Sequence, residues 1–503
     1  MGSYVSKPSS PPRIASDTVI PLHYFDDNSM LRSFVPEVTL RFDDVLDVDK
    51  IRNALDRLLS RKGWRKLGAR VRFNSKGKLE YHIPETYTPD RPGYILTEDK
   101  YNVRIEEHPV GAQLPHPVGK DKTRPLFFGD PFSFASITRH PDTPKTMEKW
   151  LHCDVPQLFF HVTSFENATL FTTTWPHTLA DAMGFSMILN SISLILQGKD
   201  HYVPEYLGAE EDLLQTLGTT ANPKDFVLHD YLLSGFAGLR FGLYLALDMF
   251  INRRNTLRAI CVPHTYFQRI YEETLGELNL TIDPKSTCRV QLPDEKFVSE
   301  SDVLFAWWSR MLLSALKPRR RDAPVGLMNV FDYRAEFPHL LPKQGVYVGN
   351  ATFGGFTLLT CQQILTSTLG FVAQRLRNSL NEQRTRPQIE AVAAAHREAL
   401  DKTGFTAMFG QPDQYLFALS NWHRAKLFQV DFSAALVDPA KKEQNRLAGK
   451  PSYVHPVGYN NGFAIRNFGA VSGRDHEGNW WLSWFTGDDT WDIIEKEMAK
   501  LLD

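Results

Sequence analysis

An irregular mixture of helical and strand patterns along the 503 residues constrains the fold most. Apolar residues recur at helical spacing from Val48 to Leu59, where Asp47 can cap the start of a helix and Gly63 can end it. A hairpin pattern follows between Val71 and Ile83. Further along the chain, strands and helices do not alternate regularly. The pattern therefore predicts an α/β protein with open mixed sheets in a sandwich, rather than a barrel or a doubly wound fold.

The chain is long enough for two large domains. Periodicity is lost between Gln197 and Asp230, where glycine, proline and asparagine accumulate. We therefore predict an N-terminal domain over residues 1–210, a connector over 211–257 and a C-terminal domain over 258–503.

Charge and cysteine content exclude several classes of function. The 57 basic and 58 acidic residues nearly cancel, so no global field attracts nucleic acid or an anionic membrane. The four cysteines are too far apart in sequence for a zinc motif or a disulfide framework, which fits a reducing, cytoplasmic location. They are Cys153, Cys261, Cys288 and Cys361. We expect no metal and no nucleic-acid partner.

One apolar segment, from Tyr231 to Ile251, has the length of a membrane-spanning helix. Arg240 and Asp248 lie within it and oppose insertion into hydrocarbon. We therefore predict a buried or interfacial helix, such as a lid over a substrate channel, with peripheral membrane contact as the alternative. Its predicted apolar face comprises Phe236, Leu239, Leu243, Leu247 and Phe250.

The sequence contains two HxxxD patterns, which differ in their surroundings. His177 and Asp181 follow a strand-like run and precede an apolar helix that begins near Phe185. His23 and Asp27 have no such frame, so a surface or loop-packing role is expected for them. The pattern formed by His177 and Asp181 is therefore the candidate catalytic motif.

Two further motifs occur downstream of His177, in a fixed order. Asp332 and Arg334 lie in NVFDYRAEFP, and Trp422 is followed nine positions later by Asp431 in DFSAA. With HxxxD, this order resembles the BAHD acyl-CoA-dependent acyltransferases, particularly the fungal enzymes that act on secondary metabolites. DFSAA departs from the family's DFGWG loop after its second residue. The resemblance implies two chloramphenicol-acetyltransferase-like αβ sandwich domains with a channel between them.

The resemblance also implies roles for the HxxxD residues. His177 would be the general base, since acyl transfer from a thioester to a hydroxyl needs a base of near-neutral pKa. Asp181 would pair with Arg334 across the core and so position His177. Asp332 is interpreted as a turn or supporting residue, and Asp431 as structural.

Other residues are candidates for binding the acyl donor or the reaction intermediate. The indole N–H of Trp422 is a candidate oxyanion donor, and Ser420 and Asn421 beside it could supply others. The alternative is that Trp422 only packs the domain interface. Ser299 and Ser301 precede a helix, where they either cap it or meet the pantetheine arm or a phosphate of coenzyme A.

The resemblance therefore implies that the protein transfers an acyl group from acyl-CoA, expected to be acetyl-CoA, to an alcohol or amine. No tightly bound cofactor and no acyl-enzyme are expected, and the enzyme is expected to be a monomer. Tyr24, Phe25 and the apolar connector favour a bulky apolar acceptor. A cyclase, or a non-catalytic binding scaffold on the same fold, is the alternative.

Overall fold

The computed structural model describes residues 11–116, 118–119, 122–279, 297–461 and 466–500. Its strands are β1 (Thr18–Pro21), β2 (Phe34–Phe42), β3 (Arg70–Phe73), β4 (Leu79–Ile83), β5 (Ile95–Lys100), β6 (Leu126–Phe127), β7 (Phe159–Ser164), β8 (Thr169–Thr174), β9 (Glu205–Leu207), β10 (Asn255–Val262), β11 (Pro324–Asp332), β12 (Gly345–Tyr347), β13 (Thr352–Thr360), β14 (Tyr415–Asn421), β15 (Tyr453–Asn460), β16 (Phe468–Arg474) and β17 (Trp480–Gly487). Its α-helices are α1 (Ser29–Ser33), α2 (Val48–Leu59), α3 (Ala135–Thr138), α4 (Glu148–His152), α5 (Ala182–Leu196), α6 (Gly235–Ile251), α7 (His264–Glu277), α8 (Glu300–Leu316), α9 (Cys361–Thr366), α10 (Leu369–Gln383), α11 (Arg386–Thr403), α12 (Lys441–Gln444) and α13 (Asp488–Ala499).

The first large sheet has five strands in the order β15-β2-β8-β7-β5, and β5 and β7 are parallel. The helices α2 and α5 pack against it through a continuous apolar core. Asp47 caps α2 by accepting hydrogen bonds from the backbone N–H groups of Asp49 and Lys50, as the sequence predicts. The helix ends at Leu59, one turn before the predicted stop at Gly63.

The second large sheet has seven strands in the order β13-β11-β14-β16-β17-β10-β6. The pairs β11–β14 and β14–β16 are parallel and the others are antiparallel, so this sheet is also mixed. A tryptophan-rich core lies between it and the helices α7, α8, α10 and α13. A further core joins β11 and β13 to α6 and α11.

Each large sheet takes a strand from the other half of the chain. β15, late in the sequence, pairs antiparallel with β2 over its whole length. The short strand β6, early in the sequence, pairs with β10 in the seven-stranded sheet. The two halves are therefore interlocked through their backbones.

The connector packs against α11, and its last helix is α6. Only Phe241 and Leu245 of this helix are buried, and the apolar face predicted from the sequence is exposed instead of covered. In the described part of the chain, no helix is long and apolar enough to cross a membrane. Cys153 is exposed and Cys261 and Cys361 are buried free thiols, whereas Cys288 lies outside the described residues.

Candidate active site

The candidate base, His177, lies at the predicted strand-to-helix junction, between β8 and α5. The indole of Trp175 stacks on Phe185 of α5 at 4.4 Å, and its N–H donates to the carbonyl of Ala180. These two contacts join the beginning of the turn between β8 and α5 to its end. The backbone N–H of His177 donates to the carbonyl of Phe34 at 3.2 Å, which ties the turn to the five-stranded sheet.

Asp181 is the N-cap of α5 and also the partner of Arg334, so it links the two halves of the chain. Its Oδ1 accepts from the backbone N–H of Gly184 at 2.8 Å and from Arg334 Nη2 at 2.9 Å. Its Oδ2 accepts from the same guanidinium nitrogen at 3.0 Å and from the backbone N–H of Ala351 at 3.0 Å. The predicted ion pair is therefore present, and both side chains are buried.

Arg334 also donates hydrogen bonds to the loop between β12 and β13, residues 348–351, and to the last residue of β12. Its Nε donates to the carbonyl of Tyr347, and its Nη2 donates to the carbonyl of Gly349. Asp332 Oδ1 accepts from Nη1 at 2.7 Å and from the backbone N–H of Arg334. Burial opposes the charge of Arg334, but Asp181 and Asp332 outweigh it and raise the pKa of the guanidinium above its usual value. Arg334 is therefore permanently charged.

That loop presents Asn350 to the candidate base. The Nδ2 of Asn350 donates to the carbonyl of His177 at 3.0 Å and to Asp26 Oδ1 at 2.8 Å. Within the described residues, the buried atoms Asn350 Oδ1 and His177 Nδ1 have no hydrogen-bond partner of good geometry. The ion pair thus acts on His177 through the loop that carries Asn350.

The burial of His177 favours the neutral form of its imidazole. Burial lowers its pKa below the ordinary value, and the charge of Asp181 and the amide of Asn350 only partly oppose this effect. A neutral imidazole near neutral pH is able to accept a proton.

A second group of buried charges lies behind Asn350. Lys66 Nζ lies 3.2 Å from His23 Nε2 and donates to the carbonyl of Gly208 at 3.0 Å. Burial raises the pKa of Asp26 and lowers the pKa of Lys66. Burial, reinforced by Lys66, lowers the pKa of His23 to about 3. His23 is therefore a neutral packing residue of the loop, which was one of the two roles expected for it.

The residues expected to bind the donor or the oxyanion form two other groups. At the end of β14, Trp422 Nε1 donates to Ser420 Oγ at 2.9 Å, and Asn421 Oδ1 accepts from the backbone N–H of His423. The indole N–H predicted to meet an oxyanion is therefore bonded to a hydroxyl that lies beside it.

Ser299 is the N-cap of α8. It forms a capping box with Asp302, and Arg377 Nη2 donates to its Oγ at 2.7 Å. Ser301 lies inside the first turn of the helix, so it is not the cap. The hydrogen bonds of Ser299 in the described part of the chain stay within this group and do not reach His177.

Comparison with known proteins identifies the family. The sequence model of the Transferase family matches residues 142–435, more than half of the chain. The acetyltransferase adrJ of Penicillium rubens is 38% identical over 509 aligned residues, which cover 100% of this chain and 99% of adrJ. This chain belongs to the Transferase family of BAHD-type acyltransferases.

Other relatives show the fold of the family and the different functions for which its members are named. The crystal structure of Fusarium graminearum TRI101 with coenzyme A and deoxynivalenol superposes with a TM-score of 0.67 at 15% identity, and the match covers 96% of this chain and 98% of TRI101. The two-domain mixed-sheet α/β fold implied by the BAHD resemblance is thereby confirmed. A relative in Penicillium decumbens, calD, is 36% identical over 99% of both chains and is named a transcriptional regulator.

The BAHD motif that departs from the family pattern is a packing element here. Phe432 of DFSAA is fully buried and stacks on Phe42 of β2 at 5.5 Å, and Asp431 Oδ1 accepts from the backbone N–H of Ser433. The carbonyl of Asp431 accepts from Ser193 of α5 at 2.6 Å. The Ser-Ala-Ala replacement therefore lies in a short turn that supports α2 and α5.

Two residues of this BAHD site carry no motif signal. Asn350 lies in a loop in the second half of the chain, and nothing in the sequence around it marks it as a site residue. Asp26 lies near the N-terminus, inside the HxxxD pattern formed by His23 and Asp27, and this pattern is its only sequence signal. In the described ranges, no group of three or more His, Cys, Asp or Glu side chains is arranged to hold a metal ion.

Proposed function

We propose that this acyltransferase transfers an acyl group, expected to be acetyl, from acyl-CoA to a hydroxyl or amine of a bulky secondary metabolite. The observation that carries the proposal is the position of the largely buried His177, whose backbone carbonyl accepts a hydrogen bond from Asn350 on the loop that the Asp181–Arg334 ion pair holds. Burial lowers the pKa of this imidazole, which favours the form that can accept a proton. The relative adrJ is named an acetyltransferase, and structures of TRI101 contain coenzyme A together with deoxynivalenol or with T-2 mycotoxin, which supports this donor and this class of acceptor.

In the proposed mechanism, His177 acts directly as a general base. Its Nε2 takes the proton from the acceptor as the acceptor oxygen or nitrogen attacks the thioester carbon. The C–S bond then breaks, and the proton passes from His177 to the thiolate of coenzyme A. The acyl group goes straight to the acceptor, so no acyl-enzyme forms.

Asn350 has a positioning role in this mechanism. A hydrogen bond from His177 Nδ1–H to Asn350 Oδ1 would satisfy two buried atoms that have no partner of good geometry in the described residues. That bond would fix the tautomer in which Nε2 is free to accept a proton. We expect Asn350→Ala to lower kcat more than it changes KM.

Ser420 and Trp422 are proposed to stabilise the oxyanion together. Because the Ser420 oxygen accepts the indole N–H, its own hydroxyl proton is free to point toward another acceptor. Asn421 and the serines Ser299 and Ser301 remain candidates for contact with the donor, although Ser299 already has a complete capping arrangement.

A monomer is sufficient for this chemistry, because His177, Asp181, Arg334 and Asn350 all come from one chain. We propose a cytoplasmic enzyme without a tightly bound cofactor. The non-catalytic alternative is favoured by the name of calD. The DFSAA loop gives it no support, since that loop packs against β2 and α5.

The test measures coenzyme A release from acetyl-CoA with a panel of terpenoid and polyketide alcohols. We expect His177→Ala to lose about 10²–10⁴-fold in turnover while it keeps the wild-type circular dichroism spectrum. The matched control is His201→Ala, an exposed histidine that should retain full activity.

The same assay separates the alternatives. A binding scaffold or a cyclase predicts no thermal stabilisation by acetyl-CoA and no release of the thiol. Full turnover by a folded His177→Ala protein would remove His177 from the mechanism even if the chain is an acyltransferase.

A further inference from the structure

The outer face of α6 is a large apolar surface without a partner in the described part of the chain. Six of its apolar side chains are each between 55% and 74% exposed. They are Phe236, Leu239, Leu243, Leu247, Phe250 and Ile251. The opposite face is anchored to the protein by Phe241 and Leu245. The helix therefore lies on the surface with a continuous apolar face directed outward.

The exposed charges of the segment from Tyr231 to Arg254 have one sign, whereas the exposed Asp230 directly precedes the segment. Arg240, Arg253 and Arg254 are exposed. Asp248 is the only acidic residue between Tyr231 and Arg254, and it is turned to the protein side, where Arg466 binds it through two hydrogen bonds of 2.7 and 2.8 Å. At 100° per residue, Arg240 lies on this face between Leu247 and Ile251, and Arg253 and Arg254 stand at its C-terminal end. An apolar face with cations at these places complements an apolar phase with anionic groups at its boundary, because a long arginine side chain can reach that boundary.

The composition of α6 also fits a helix that contacts lipid headgroups. Gly238 and Gly242 lie in its interior, and glycine disfavours a helix that is exposed to water. Aromatic rings stand near both ends of the face, and the guanidinium of Arg253 lies 4.4 Å from the ring centre of Phe250. Arginine and aromatic side chains are typical of a helix that lies in the headgroup region.

We propose that α6 is a membrane-docking helix that lies in the plane of an anionic phospholipid surface. The apolar face would enter the boundary between headgroups and acyl chains, while Arg240, Arg253 and Arg254 contact lipid phosphates and carboxylates. The nearly neutral charge of the whole chain does not oppose this, because the attraction acts locally, within a Debye length of α6. The inference is independent of the acyl-transfer proposal.

A second copy of the chain fits this face less well. Two α6 helices packed against each other would bring six arginines together, and the segment has no exposed carboxylate to neutralise them. A bilayer that contains acidic lipids supplies the opposite charge. The charge pattern therefore favours lipid over self-association.

The test is sedimentation of the full-length protein with vesicles of phosphatidylcholine, with and without phosphatidylserine. We expect binding to the anionic vesicles that weakens as salt rises, together with slower hydrogen exchange of the amides from Gly235 to Ile251. Leu243→Glu should weaken binding by about tenfold or more, the value of one buried leucine side chain. Arg253→Gln should weaken binding to anionic vesicles only.

The matched control is Val437→Glu, since Val437 is 60% exposed but lies outside α6. It should bind vesicles like the wild type, and both glutamate variants should keep the wild-type melting temperature. The proposal fails if the wild type stays in the supernatant with anionic vesicles, or if Leu243→Glu binds as well as the control. It also fails if the lipid-free protein is a dimer that Leu243→Glu converts to a monomer.

Discussion

Neutralising Asp181 is the sharpest test of the link between the two halves of the chain. Asp181→Asn keeps the size of the side chain but replaces one of its two acceptor oxygens by an NH2 donor. In the wild type, each carboxylate oxygen accepts from Arg334 and from one backbone N–H group. In the variant, the NH2 group replaces one of these oxygens and faces those same donors, so it cannot accept their hydrogen bonds. Arg334 would also lose one of its two counter-charges.

The size of the effect follows from these contacts. Breaking a buried ion pair costs about 3–5 kcal/mol in the free energy of unfolding. Asp332 still contacts Arg334 at 2.7 Å, which places the expected loss near the lower end, at about 3 kcal/mol. Arg334→Gln should cost a similar amount, because Asp181 then stays buried with only two backbone N–H groups to stabilise it.

Urea unfolding of the four members of the double-mutant cycle measures this coupling. We expect the double variant to lose about 1–3 kcal/mol less than the sum of the single losses. The exposed pair Lys402–Glu398, at 3.5 Å, is the control and should couple by no more than about 0.5 kcal/mol. Additive losses at Asp181 and Arg334 would refute the reasoning.

Three further predictions test the turn, the cap and the response to acid. In Gly184→Ala, the new Cβ would come within 1.8 Å of the carbonyl oxygen of Val348, so we expect urea unfolding to show a loss on the order of 3 kcal/mol in the free energy of unfolding. The control is Gly242→Ala, which should be neutral or stabilising because the space around Gly242 is open. Ser299→Ala should cost about 1 kcal/mol with an unchanged KM for acyl-CoA, and a raised KM would show that Ser299 meets the donor instead. Burial lowers the pKa of His396 and of His455 to about 4, below the value of 6.5 in the unfolded chain. The stabilisation that each neutral imidazole contributes is therefore complete above pH 6.5 and is lost as pH falls toward 4, at about 3 kcal/mol for each imidazole. A flat profile of unfolding free energy against pH would contradict this prediction.

Local signals in the sequence predicted much of the fold. The helix from Val48 to Leu59, its Asp47 cap and the strand-to-helix junction at His177 depend on periodicity and capping within a few residues. Ser299 was likewise a capping candidate because it directly precedes a helical pattern. Such features are encoded by neighbours in the chain, so they are readable without a structure.

The remaining features depend on contacts between distant segments. Asn350 reaches His177 across 173 positions, and Asp26 reaches Asn350 across 324, so no spacing rule connects them. The outward apolar face of α6 has the same periodicity as a buried one, so the prediction of a buried helix was wrong, whereas an interfacial helix stays a prediction. Periodicity shows that a face exists but not what covers it.

The exchange of strands between the two sheets has a consequence for synthesis of the protein. While the chain grows on a ribosome, β2 is complete after residue 42, but its partner β15 is made only when residues 453–460 appear. Until then, one edge of a buried strand is unpaired, and such an edge pairs readily with other chains. A shortened chain that ends before β15 should therefore need chaperones or aggregate, even though it retains His177 and Asp181. For this molecule, a late stop codon removes the first sheet's last strand and not merely a tail.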